Sequence, residues 1–213
     1  MKKNVFLIGY LLAFLLLAGC EQQGMAATEP GTTAPEAMTT EQTVPTETTE
    51  ATVIRQETEE SALDHIWELT DPFEVIFALF DHVWEKSGHG ADLSALSGPE
   101  RVFYVTQTLE MEVNNGGFYQ YFFNPDGEFA GELVAAYEAL GAVKTAQICQ
   151  RAIDAFGGEV PADRLARLEW MAQLEGTEFD DILNDCDMAY YEYEEDLLAL
   201  TYAYVMAHRD EFQ

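Results

Sequence analysis

The densest run of side chains able to do chemistry is a string of carboxylates: Asp180, Asp181, Asp185, Asp187, Glu192, Glu194, Glu195 and Asp196. At that density, acids can present negative charge to a cationic protein or capture a hard cation such as calcium. On a helix, neighbours at i and i+4 lie roughly 5–6 Å apart, near the phosphate spacing of a DNA strand, so a rigid acidic helix can imitate a nucleic-acid backbone. Acids at a helix start are also favoured by the helix dipole. A charged face that only solvates the domain is the plainer reading of the same residues. Asp185-Cys186-Asp187 begins like a calcium loop, yet the central glycine is absent and the segment reads as helix.

Other reactive constellations are missing. The four histidines, His65, His82, His89 and His208, include no i, i+4 pair and no H-E-x-x-H. His82 lies between Asp81 and Glu85, which a solvated helix face explains. No G-x-S-x-G, Walker loop or dinucleotide fingerprint occurs. The sequence therefore predicts a protein that is not an enzyme and takes no cofactor or metal. Of 213 residues, 39 are acidic and 10 basic, for a net charge of −29 and a pI near 4.1. That excludes direct nucleic-acid binding through a basic patch and favours cationic partners or mimicry of a polyanion.

The elements that must position this charge are organised around Val113–Asn124, which reads V-N-N-G-G-F-Y-Q-Y-F-F-N. Asn114, Asn115, Gly116 and Gly117 are strong backbone punctuation, because glycine reaches positive φ freely and asparagine tolerates it. Behind them come Phe118, Tyr119, Tyr121, Phe122 and Phe123. The pattern predicts a helix that stops sharply and drops an aromatic wedge into the core. It also admits a small-molecule pocket with Asn114, Asn115 and Gln120 as polar handles.

Three stretches carry a resemblance: L-S-G-P-E-R from Leu96, E-V-N-N-G-G-F-x-Q-Y-F-F-N from Glu112, and A-x-x-A-L-G-A from Ala136. Together they resemble a bacterial family of unknown function whose best-known members are the acidic DNA mimic proteins. The resemblance runs from about Ala62 to Phe212. It implies an all-helical fold, with Asn114, Asn115, Gly116, Gly117, Phe118 and Gln120 as family motif. For one branch it implies an acidic surface that occupies the site of a DNA-binding protein. It brings no catalytic residues.

Residues 1–19 read as an export signal, with Lys2 and Lys3 ahead of an apolar run too short to span comfortably. Leu17-Ala18-Gly19-Cys20 looks like a lipobox, which implies cleavage before Cys20 and acylation of its thiol. Residues 20–60 are rich in Thr, Glu, Pro and Ala without an aromatic, so they cannot bury enough apolar area to fold and predict a disordered tether.

Residues 61–213 form the acidic domain, with 30 acidic against 7 basic residues. Asp71-Pro72-Phe73-Glu74 predicts a helix start, followed by a stripe of Phe73, Ile76, Phe77, Phe80, Val83 and Trp84. Ser97-Gly98-Pro99-Glu100 predicts a capping box, with Val102, Val105, Leu109 and Val113 facing inward. Asn124–Gly127 reads as a plain turn. One helix then ends near Gly141, and a second ends at Gly157-Gly158. A third is opened by Pro161, with Leu165, Leu168 and Ala172 inward. A final long helix runs from about Asp180 to His208, with a seam of Ile182, Cys186, Tyr190, Tyr193, Leu197, Leu200 and Tyr204. The expectation is a compact all-α domain of about six or seven helices. Cys149 and Cys186 fall on apolar faces, as core thiols or as an interhelical disulfide.

The function expected is a membrane-anchored, non-catalytic acidic module docking a cationic protein or peptide outside the cytoplasm. Weak divalent-cation binding and a pocket at Asn114–Phe123 are the alternatives. The lipid bilayer, through Cys20, is the other partner, and self-association into a homodimer is left open. An exported domain does not meet cytoplasmic transcription factors, so literal DNA mimicry is not carried over.

Overall fold

A computed structural model describes residues 63–213, which are all-helical. The signal segment, Cys20 and the tether lie outside the described residues. Among the described residues there are eight helices: α1 (63–68), α2 (Pro72–Lys86), α3 (Gly98–Phe123), α4 (Leu133–Leu140), α5 (Val143–Asp154), α6 (Arg164–Leu174), α7 (Glu178–Tyr191) and α8 (Leu197–Ala207).

Local chemistry sets the helix starts. The Asp71 carboxylate accepts from the amides of Phe73 at 2.9 Å and Glu74 at 3.2 Å, and Pro72 gives α2 a preset φ. The face α2 buries is Val75, Ile76, Leu79, Phe80 and Val83. Phe73 and Trp84 are only half-buried and Phe77 is exposed, so the stripe is turned from the expected one toward the aliphatic residues. Ser97 and Glu100 exchange the two bonds of a capping box at 3.3 and 2.7 Å and start α3.

α3 is the central helix. Every residue from Phe103 to Leu109 is buried, because neighbours cover it on all sides. Thr106 and Thr108 tolerate this because their hydroxyls donate to carbonyls one turn back. Phe212 packs edge-on against Phe103 and Trp67, and the buried Glu100 carboxylate accepts from Lys86 at 2.8 Å and from the Gln213 amide at 2.9 Å.

Four expectations are corrected. α3 does not stop at the Asn-Gly pivot; it breaks at Gly116 and Gly117 and resumes at once, running to Phe123. The segment after Asn124 is not a plain turn but an eight-residue 3₁₀ stretch, Pro125–Glu132, that buries Phe129 and Ala130. α6 starts at Arg164 under the Asp163 cap rather than at Pro161, and buries Arg167 and Met171 while Leu165 is 71% exposed and Ala172 lies outside. The long terminal helix is two helices. Tyr193 turns to φ 43°, and the Asp196 carboxylate caps α8 through the Ala199 amide at 3.1 Å. Steps of three and four persist through such a turn, so periodicity alone could not reveal it. Cys149 and Cys186 are buried free thiols on α5 and α7.

Candidate binding surface

The surface is built on the break in α3. Gly117 sits at φ 78° and ψ −179°, a conformation open only to glycine. A Cβ there would strike the carboxylate of Asp187, which reaches across from α7 to accept the Phe118 amide at 2.7 Å. That bond satisfies one of the amides freed where α3 restarts. Burial raises the pKa of Asp187, and the amide bond partly offsets the rise.

The restarted segment splits its aromatics. Phe118, Tyr121 and Phe122 are buried, with Phe118 edge-on to Tyr190 and Phe122 to Phe156. Tyr119 and Phe123, expected in the buried wedge, stay out of it. They are 46% and 44% exposed and stack on each other with ring planes 14° apart. Only three of the five aromatics enter the core because one short helix cannot turn every side toward it.

The polar handles are mostly committed internally. Asn114 donates to the Tyr193 hydroxyl at 2.6 Å, and Tyr193 donates to Glu110 at 3.3 Å. These bonds hold Tyr193 in its left-handed backbone conformation, which otherwise costs roughly 1–2 kcal/mol. The Asn114 side-chain oxygen is buried without a partner. Gln120 and Asn124 donate to Glu112, the latter at 2.9 Å to each oxygen. Asn115 points to solvent. Although Glu110 as a residue is only partly covered, its carboxyl is enclosed, and burial pushes its pKa up to about 7 against the hydrogen bonds from Tyr193 and Gln107.

The acidic run is less free than its spacing implies. Asp180 accepts the Gly176 amide, Asp185 pairs with Arg151 at 2.8 Å, and Glu194 pairs with Lys144 at 2.6 Å. Glu195 caps the start of α5, accepting from the amides of Lys144 at 3.0 Å and Thr145 at 2.9 Å. Burial would raise its pKa, but these bonds hold it below the ordinary value. Asp196 caps α8 and Asp187 holds Phe118. Asp181 and Glu192 are exposed and hold no internal partner. Asp185 and Asp187 thus serve different neighbours, and among the described residues no three His, Cys, Asp or Glu side chains converge as metal ligands.

A shallow groove of about 550 Å³ runs between α5 and the α7–α8 turn, floored by Ile148, Tyr190, Tyr193 and Leu197 and rimmed by Glu192, Glu194, Lys144 and Arg151. None of Asn114–Phe123 lines it.

The balance of charge emerges from the cations. All seven basic side chains of the described residues are occupied within the domain. Lys86 is on Glu100, Arg101 on Glu132, Lys144 on Glu194 and Arg151 on Asp185. Arg164 lies on Phe123, Arg209 over Trp67, and Arg167 on main-chain carbonyls. Sequence reasoning missed Glu110, Glu112, Arg167 and the Tyr193 hydroxyl. Glu110 precedes Asn114 by one helical turn, and that spacing was the only available signal.

The family profile described as DMP19-like protein matches residues 94–208, from the 3₁₀ turn before α3 to the end of α8. The chain belongs to the DMP19-like family. No curated protein and no solved structure matches it. The DMP19-like region contains the Asn-Asn-Gly-Gly-Phe break, its Asp187 partner, and all eight acids of the run. The family is that of the DNA mimic proteins and is generally non-catalytic.

Proposed function

We propose that this DMP19-like domain is a non-catalytic acidic module that docks a cationic protein or peptide, and that Cys20 anchors it to a membrane facing away from the cytoplasm. The observation that carries the docking half is the one-sided charge. Every described cation is bound internally, while acids such as Asp181 and Glu192 face solvent without a partner. Such a surface raises encounter rates with positive partners and repels nucleic acid. The family adds support, since DNA mimic proteins bind a protein that normally holds DNA. The anchor rests on the Leu-Ala-Gly-Cys sequence and on the two-chain requirement for stable membrane attachment.

Two measurements test this. Titration of the full chain with oligolysine should give binding that weakens steeply as salt rises, and Asp181→Lys with Glu192→Lys should weaken it further. Binding unchanged by salt and by both reversals would remove the electrostatic basis. For the anchor, Cys20→Ala should move the protein from the membrane fraction to the soluble one; a variant that stays bound defeats it.

A further inference from the structure

Tyr119 and Phe123 form an exposed, stacked pair on the outer side of the restarted helix, their centroids 6.5 Å apart. Two carboxylates bond to the residues beside them in the chain. Asp187 stands at the start of that helix, on the Phe118 amide. Glu112 holds Gln120 and Asn124, which follow Tyr119 and Phe123 in the chain. Both acids bond only to neutral N–H groups, and no described cation neutralises either. The pair already accepts one guanidinium from within the domain. Arg164 lies 5.3 Å from the Phe123 ring centroid and donates to the Phe123 carbonyl at 3.1 Å.

We propose that this aromatic pair, whose chain neighbours are held by the cation-free acids Glu112 and Asp187, is the point at which an arginine-bearing segment of a cationic protein partner docks. The proposal rests on the docking function given above and names the side chain that the surface selects. A planar guanidinium can lie flat on a ring while its edge pairs with a carboxylate, whereas an ammonium offers only a point charge. Rigid aromatics among acids also supply the buried anchor that a purely charged interface lacks. Rings 46% and 44% exposed otherwise leave apolar area in water with no return. The groove beside α5 is the weaker candidate for this role, because its rings, Tyr190 and Tyr193, meet edge to face with Tyr190 buried and offer no exposed stacked pair.

The test compares oligoarginine with oligolysine of equal length on the full chain, by calorimetry at two salt concentrations. Wild type should bind oligoarginine roughly threefold to tenfold more tightly. The double substitution Tyr119→Leu and Phe123→Leu keeps apolar bulk but removes the ring faces. It should erase the arginine preference and leave oligolysine affinity unchanged. Circular dichroism melting confirms that the variant is folded; should it fail to fold, Tyr119→Leu alone carries the comparison, with at least half the preference lost. A folded variant that retains the full preference, or a wild type with none, overturns the proposal while the acidic docking reading stands. Binding of neither peptide at low salt defeats both.

Discussion

The carboxylate of Asp187 accepts the amide proton of Phe118 at 2.7 Å, joining two positions 69 residues apart at the break in the central helix. Gly117 makes the bond reachable, since any Cβ at that position would occupy the space of the carboxylate. Gly117→Ala should therefore cost about 2–4 kcal/mol, combining a glycine-only backbone conformation with a displaced hydrogen bond. Asp187→Ala should cost about 1–3 kcal/mol by leaving a part-buried amide unpaired, and Asp187→Asn should recover most of it. Urea midpoints for the three variants check the order; Gly117→Ala at wild-type stability would refute the account.

Arg167 is fully buried and bonded to main-chain carbonyls alone. It donates to Phe122 at 2.6 Å and to Pro161, Ala162 and Asn124 at 2.9 Å each. It ties the end of α3 to the start of α6, and its planar fork reaches acceptors in several directions at once. Arg167→Met fills similar volume but abandons these oxygens, and should lose at least ~3 kcal/mol. Arg167→Lys should recover less than half of that, because one ammonium cannot span the set. Equilibrium unfolding measures both, and a lysine variant equal to wild type would show that the fork is unnecessary.

The two buried thiols bear on the disulfide alternative. Burial, then the proximity of Cys186, pushes the Cys149 thiol pKa far up, and burial pushes Cys186 up to about 11. Thiols so protonated are poor nucleophiles for disulfide exchange. A thiol count on denatured Cys20→Ala protein should find both free, with or without prior reduction. A count that rises only after reductant would establish the bridge.

Much of this architecture was legible from local chemistry. Asp71, Pro72, Ser97 and Glu100 mark helix starts because their capping bonds fall within three or four residues. The break at Gly116 and Gly117 was legible for the same reason, through backbone freedom. What escaped depends on distant partners. Leu165 reads as inward, yet the buried side of α6 is that of Arg167 and Met171, and a buried arginine is invisible without the carbonyls of Phe122 and Asn124. The acid run looks uniform in sequence, yet α5 captures Glu195 while Glu192, three positions earlier, stays in solvent.

That division of the acids makes a contrast measurable. Glu192→Lys, at the C-terminal end of α7, should leave melting temperature nearly unchanged, or raise it slightly by easing repulsion within the negative domain. Glu195→Ala should cost about 1–2 kcal/mol, since it strips the cap from two amides and the Thr145 hydroxyl at the start of α5. Equal effects from Glu192 and Glu195 would mean that the run acts as a bulk charge rather than through individual bonds.

Glu110 supplies the pH dependence. Burial pushes its folded pKa up to about 7 from 4.5, so between those values the folded protein keeps a proton that the unfolded chain has released. Unfolding in that window gives up a proton, so stability is greatest on the acid side and falls as pH rises toward 7, then levels off. Asp126 acts in the same direction, its pKa raised to about 6 mainly by burial. The Glu110 contribution is at most roughly 3 kcal/mol. Repulsion among the other acids also relaxes on acidification, so wild type alone cannot isolate it. Glu110→Gln keeps an acceptor for Tyr193 but cannot ionise. It should melt higher than wild type at pH 8, match it near pH 5, and show a shallower dependence between. Parallel curves for the two proteins would mean that Glu110 is ionised in the fold and that the enclosure around it admits water.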